Sequence, residues 1–357
     1  MAYGITRTVP TPAATHSGFV AVLGVSDFTT TMIDGGASSL LNGGGNLRIY
    51  DSSSKTTQYP IQVVTFVTGG SPQVAVFVYL PTWTTGDTLY IERDAVATVQ
   101  PATGATGGRD ATWQGFEAVW LLEEGQTETS GAYIDSTGNS HDGTGFNLAG
   151  TTPVSGSVAF DGVNDYVQVP HSAAIKPTGS YTIFSRFQAN ITGSGTEDRD
   201  LLCLESLSPW MKLSYQKVTD KAVFTLTTGG STSDVVGTTT LADSTYYSMA
   251  GVYDGVNAAI NVNGTNETTA AKTGTPTTSS DVVTIGNRTN RTTSNGTEGD
   301  IALSFIRMDA LSSDFLTDLD TTLSSGSFGL TGGTWADSGG GGFQAAWVRR
   351  QNRIIGA

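Results

Sequence analysis

Apolar residues recur at alternate positions along most of this chain, in short runs broken by glycine, proline and asparagine. Gly18-Phe19-Val20-Ala21-Val22-Leu23, Asn46-Leu47-Arg48-Ile49-Tyr50-Asp51, the run Ile61 to Val67 and Thr88-Leu89-Tyr90-Ile91-Glu92 read as strands of a small β-sandwich over residues 18–100. Val74-Ala75-Val76-Phe77-Val78-Tyr79-Leu80 is apolar on both sides, which predicts a strand covered on both faces. Residues 1–17, with Pro10 and Pro12, read as an irregular N-terminal arm. Residues 97–112 are rich in Thr, Gly and Ala and read as a linker or long loop at a domain boundary.

From residue 113 the alternation resumes. Phe116 to Leu122, Tyr166-Val167-Gln168-Val169 and Tyr181 to Phe187 predict further strands. Asp254-Gly255 and Asn263-Gly264 suit tight hairpins, because these residues tolerate positive φ. Only one segment has a helical period. Leu311, Phe315, Leu316, Leu319 and Leu323 form one stripe, Ser313 can cap it, Asp314 favours its first turn, and Gly326 ends it. Residues 327–357 read as a Gly-rich linker and a basic amphipathic tail. The fold class is therefore all-β, with one short helix and a C-terminal tail.

Composition sharpens this picture. The 357 residues carry 38% hydrophobic residues, enough for ordinary cores, but only 14% charged ones. The balance is Gly, Thr and Ser, the residues of turns and exposed strand faces. A net charge of −14 repels phosphate, so nucleic acid is not an expected partner. Cys203 stands alone in an apolar run and reads as a buried small hydrophobe, with no intrachain disulfide possible. No run reaches the length of a membrane span, and the first residues lack the apolar core of a signal peptide, so neither membrane insertion nor export is expected.

The stretch 113–326 resembles the laminin-G-like (concanavalin A-like) jellyroll domains of bacterial and phage structural proteins. Ala118-Val119-Trp120-Leu121-Leu122-Glu123-Glu124-Gly125, Asp135 to Thr144, Phe160-Asp161-Gly162-Val163-Asn164-Asp165-Tyr166-Val167, Tyr246 to Gly255 and Val262-Asn263-Gly264 stand in that family's order. Residues 18–93 resemble the small β domain that often precedes it, although Tyr90-Ile91-Glu92-Arg93 replaces that domain's usual closing turn. The residues around Trp347 to Gly356 are similar to the endings of some phage structural proteins.

The resemblance implies sugar or surface binding, and in some members glycan hydrolysis. Hydrolases on this fold need paired carboxylates on one strand. The nearest cluster here, Glu197-Asp198-Arg199-Asp200, follows glycines and reads as a solvated loop, so no catalytic residue and no enzyme is expected. The family also often holds one structural calcium. Alignment puts Ala302 where the family has an acidic ligand, which leaves Asp135, Asp142, Asp161 and Asp165 as candidate oxygen donors. The plainer reading of these four is turn formation. Trp83, Trp113 and Trp210 are candidate sugar-stacking residues, with burial the expected role of each. The Asn-x-Thr sequons at Asn190, Asn263, Asn266, Asn287, Asn290 and Asn295 read as coincidence in a Thr-rich chain.

These readings lead to one expectation and its rivals. The chain is expected to be a non-enzymatic virion protein, a head decoration or tail component released by lysis. It would display its jellyroll on the virion surface for attachment to host glycans. Its partners would be other capsid or tail proteins, through Phe343, Trp347, Arg349, Arg350 and Arg353. A homo-oligomer is expected, with a trimer as the guess for a surface spike. The alternatives are a carbohydrate-binding bacterial adhesin and a glycan depolymerase.

Overall fold

The structure, a computed structural model, describes residues 3–148, 156–191, 198–205, 211–288 and 296–333. The chain divides into two compact units. One is Met1–Gln114 with the chain from Thr317 onward, and the other is Gly115–Leu316.

The first unit holds strands β1 (Tyr3–Thr8), β2 (His16–Gly24), β3 (Leu47–Tyr50), β4 (Gln58–Tyr59), β5 (Ile61–Val67), β6 (Gln73–Trp83) and β7 (Thr88–Arg93). They form two antiparallel sheets, β1-β7-β3-β4 and β2-β6-β5. Short helical turns lie at α1 (Thr30–Ile33) and α2 (Arg109–Thr112). The apolar alternation becomes the core: Phe19, Leu23, Ile49, Val76, Val78, Leu89 and Ile91 are buried. As expected, β6 is covered on both faces, and Phe77 packs on Trp113 with ring centroids 5.0 Å apart.

Three sequence expectations are corrected or narrowed in this unit. The N-terminal arm is not irregular, because Tyr3–Thr8 pairs with β7 in register from Tyr3↔Arg93 to Thr8↔Thr88. The 97–112 stretch, for which a linker or a long loop is the sequence expectation, is the long loop and not a free linker. Thr112 and Trp113 are buried, and the Trp113 indole donates to Gln62 Oε1 at 2.5 Å. Nor is 327–333 a linker. Thr331 bridges Thr8, Phe328 packs 4.8 Å from Trp83, and Asp27 accepts hydrogen bonds from the backbone N–H groups of Phe328 and Leu330 at 2.9 and 2.7 Å. This returning segment sits so close that a side chain at Gly24 would strike the Gly326 carbonyl.

The second unit holds β8 (Ala118–Trp120), β9 (Thr144–Phe146), β10 (Val158–Asp161), β11 (Tyr166–Val169), β12 (Tyr181–Ala189), β13 (Asp198–Glu205) and β14 (Met211–Gln216). It continues with β15 (Lys221–Thr228), β16 (Ser231–Thr240), β17 (Tyr246–Tyr253), β18 (Asn257–Val262), β19 (Thr265–Ala271), β20 (Val283–Ile285) and β21 (Glu298–Arg307). One antiparallel sheet runs β10-β21-β12-β17-β18-β19, with β8 on β21, and the other runs β16-β15-β14-β13-β20-β11-β9. Trp120, Ile183, Phe187, Met249 and Ile260 of the first sheet share a core with Leu202, Leu213, Phe224, Ile285 and Val167 of the second. The packing is tight at Gly251, where a Cβ would lie 2.4 Å from the Phe224 ring, so glycine is required for that approach. The hairpins form as expected, with Asn263 and Gly264 at φ 47° and 77°. Helix α3 (Ser313–Ser325) follows β21 with the expected stripe buried, and the division between units falls inside it. Among the described residues no helix is long and apolar enough to cross a membrane.

Candidate functional site

Strands alternate their side chains, so the second unit's β16-β15-β14-β13-β20-β11-β9 sheet has an outer face set by the residues between the core ones. On β14 those are Lys212, Ser214 and Gln216, between core residues Met211, Leu213 and Tyr215. On β15 they include Thr225 and Thr227, and on β20 Thr284. On β13 the face carries Asp198, Asp200, Cys203 and Glu205, with irregular register on both sides of Leu202–Cys203. The face is thus polar along most of its width.

Its centre is ionic. The fully buried Asp200 carboxylate contacts Lys212 Nζ at 2.7 Å through one oxygen and Arg288 Nε through the other. Lys212 also lies 3.4 Å from Asp198. Burial is the largest single influence and pulls the Lys212 ammonium down, but the charges of Asp200 and Cys203 and the hydrogen bond to Asp200 together outweigh it, and the net shift is upward. A second buried pair joins Lys176 Nζ to Glu205 Oε1 at 3.1 Å, and Ser279 donates to the same carboxylate. Here burial wins and Lys176 is lowered. Arg199 donates to the carbonyls of Gly162 and Gly296 at 3.0 Å each. The expectation of a solvated loop at 198–200 is therefore corrected: Asp198–Glu205 is a strand, and Arg199 and Asp200 are buried. Charges leave water here because Lys212 on the next strand and partners in the adjoining loops replace it. Cys203 is buried as expected, and burial pushes its thiol up, away from the reactive thiolate.

At the β11–β9 end the face changes character. Phe146 and Tyr166 stand directly opposite each other in the ladder, with rings stacked at 4.9 Å and 12°. Phe146 is 36% exposed. Thr144 and Gln168, the next pair on the same face, are half-buried beside them. This pair went unnoticed in the sequence because Phe146 sits in a three-residue strand with no alternation to display. Tyr166 could have been picked out, since its neighbours Val167 and Val169 claim the core.

The four candidate calcium donors fall in two turns. Asp135 Oδ1 accepts from Val119 and Thr137 N–H, and its Oδ2 from the Thr137 hydroxyl and His141 N–H, at 2.7–3.0 Å. Asp142 accepts from Asp135 N–H at 2.8 Å. Asp161 accepts from Val163 and Asn164 N–H, and Asp165 Oδ2 from Asp161 N–H at 3.0 Å. The plainer reading of these residues, turn formation, matches this geometry. Asp165 Oδ1 is buried without a partner, and burial, then the Asp161 charge, pushes this carboxyl up to about 7. Among the described residues no three acidic, His or Cys side chains come together as a metal-binding group. Ala302 lies in β21. Asp300, two residues before it, is buried, which pushes it up to about 6.

Trp83 and Trp113 are buried, as expected, while Trp210 lies outside the described residues. So do Phe343, Trp347, Arg349, Arg350 and Arg353.

Two packed antiparallel sheets around one core make the second unit a jellyroll sandwich. Residues 161–314 match the concanavalin A-like lectin/glucanases superfamily, and this segment is a domain of that kind. No curated protein sequence matches the chain. Among solved structures it is similar to Trypanosoma rangeli sialidase in complex with sialic acid, at 14% identity and TM-score 0.44, covering 69% of this chain and 42% of that one. It is also similar to the botulinum neurotoxin serotype G binding domain, at 13% identity and TM-score 0.45, covering 59% of this chain and 51% of that one. A third is the Ruminococcus gnavus IT-sialidase CBM40 bound to α2,3-sialyllactose, at 17% identity and TM-score 0.33, covering 41% and 84%. The chain spans less than half of the sialidase.

Proposed function

We propose that this protein is a non-enzymatic attachment protein of a phage particle, a head decoration or tail component, whose jellyroll grips host-surface glycan. The observation that carries the glycan reading is the stack of exposed Phe146 on half-buried Tyr166, beside Thr144 and Gln168 at the end of the sheet. An aromatic surface flanked by hydroxyl and amide groups meets both the C–H face and the hydroxyl edge of a pyranose.

The same face argues against hydrolysis. Asp198 and Asp200 do lie two apart on one strand, the spacing a glycosidase would use. Yet Asp200 is sealed from solvent and held between Lys212 and Arg288, so it cannot reach a sugar. The particle reading is supported by the basic, amphipathic sequence from Phe343 to Arg353 on an acidic chain, which suits an assembly contact.

A glycan array probed with the full chain tests the first part. Binding is expected, and Phe146→Ala with Tyr166→Ala should weaken it at least about tenfold, the equivalent of 1.4 kcal/mol. No binding to any glycan would refute the glycan reading. Co-sedimentation with phage particles tests the second part, and a chain that never sediments with them would favour a bacterial adhesin. Release of reducing ends from host polysaccharide would overturn the non-enzymatic reading.

A further inference from the structure

The first unit contains a cleft that the jellyroll reading leaves unused. It has a volume of about 510 Å³, within the size of small-ligand sites, and lies between the end of β6, the β6–β7 turn and β4. Exposed Pro81 and the half-buried Tyr59 ring form its apolar side, over a floor of buried Leu80, Trp83 and Leu89. Tyr59, Asp51 and Asp87 stand among threonine hydroxyls on its polar side.

The polar groups are partly held in place and partly open. Asp87 accepts from Thr84 N–H at 2.7 Å and from the Thr84 hydroxyl at 3.0 Å, one bond to each oxygen, which fixes its plane. Asp51 Oδ1 accepts from Thr57 N–H at 3.1 Å, while its Oδ2 takes no hydrogen bond from any described residue. The Tyr59 hydroxyl likewise makes none. Burial, then the charges of Asp51 and Asp87, raise the Tyr59 phenol, so it stays protonated as a donor. The Trp83 indole N–H is already spent on the Pro10 carbonyl at 2.9 Å and its ring is packed on Phe19 and Phe328, so Trp83 closes the floor and offers a ligand no polar group.

This chemistry selects among ligands. Two carboxylates with no Lys, Arg or His in the lining repel anions such as phosphate, uronic acids and sialic acid. A bare divalent cation wants six or more oxygens converging within 2.6 Å, and a space of this size with an apolar side does not supply that. Fixed carboxylate lone pairs, several hydroxyls, one phenolic donor and an apolar side together match a ring with hydroxyls on its rim and C–H groups on its face. We infer that the cleft lined by Asp51, Tyr59 and Asp87 is a second binding site, specific for a neutral saccharide and independent of the jellyroll face.

The test is saturation-transfer NMR and calorimetry on the full chain, with a panel of neutral hexoses and disaccharides, glucosamine, glucuronic acid and calcium. At least one neutral sugar should bind, with the charged acid failing to compete. Asp51→Asn should weaken that binding about tenfold, and Tyr59→Phe, which keeps the ring and removes only the hydroxyl, severalfold. The Phe146→Ala, Tyr166→Ala variant should retain it, which separates this site from the proposed jellyroll site. No neutral sugar bound, or binding confined to glucosamine or to calcium, would overturn the inference. So would neutral-sugar binding that the jellyroll variant abolishes and Asp51→Asn spares.

Discussion

At the scale of single residues, two aspartates do opposite things with burial. Asp27 is buried yet satisfied, accepting from Gly24 N–H, the Ser327 hydroxyl, Phe328 N–H and Leu330 N–H at 2.7–2.9 Å. Asp27→Ala would strand those donors. The expected loss is about 3 kcal/mol, read as a lower denaturation midpoint of the first unit. Asp165 is buried with one oxygen unpartnered, and its carboxyl is raised to about 7 from an ordinary 3.8. The folded jellyroll therefore holds a proton that the unfolded chain releases. That contribution is complete below about pH 4 and is lost as pH rises toward 7. Asp165→Asn should remove this part of the pH dependence and stabilise the jellyroll at pH 8 by on the order of 2 kcal/mol. Calorimetry across pH 4–8 would show it, and an unchanged profile would contradict the assignment. Neither role was legible beforehand, because each depends on what surrounds the carboxylate and not on its neighbours in sequence.

At the scale of elements, the strands that alternate cleanly were readable, and those that pair through charge were not. Tyr166–Val169 and Tyr181–Ala189 show period two, and Asn263-Gly264 marks its own hairpin. The strand Asp198–Glu205 begins with charges on both faces, and its stabilising cation Lys212 comes from the next strand while Arg288 lies 88 residues away. Tyr3–Thr8 is a strand only because β7 waits some 80 residues later to pair with it. For the same reason the candidate site was half visible: its framework followed from the jellyroll motifs, but the aromatic stack needed the β9–β11 register. The ionic centre makes a direct prediction. Lys212→Met leaves Asp200 with Arg288 alone in a buried setting and should cost about 3–5 kcal/mol in the unfolding free energy of the jellyroll. A variant with unaltered stability would mean that the pair is not held as described.

At the scale of the whole molecule, the first unit is discontinuous. It takes Met1–Gln114 and then, after the complete jellyroll, the chain from Thr317. The returning piece supplies core and hydrogen bonds: Phe328 and Leu330 are buried, Asp318 contacts His16 at 2.6 Å, and Arg7 donates to the Leu330 carbonyl at 2.7 Å. A chain ended after Leu316 should therefore keep the jellyroll's unfolding transition and lose that of the first unit. Scanning calorimetry on the truncated chain against the full one checks this, and two intact transitions would refute it.

This topology has a consequence for how the protein withstands proteases. The jellyroll hangs from the first unit by a covalent link at each of its ends, near Gln114 and near Thr317. One cut at either crossing leaves the other intact, and the severed strands stay clasped by the Thr8–Thr331 bridge and the Asp27 bonds. Shedding the jellyroll would take two cuts, so a single nick leaves both units joined.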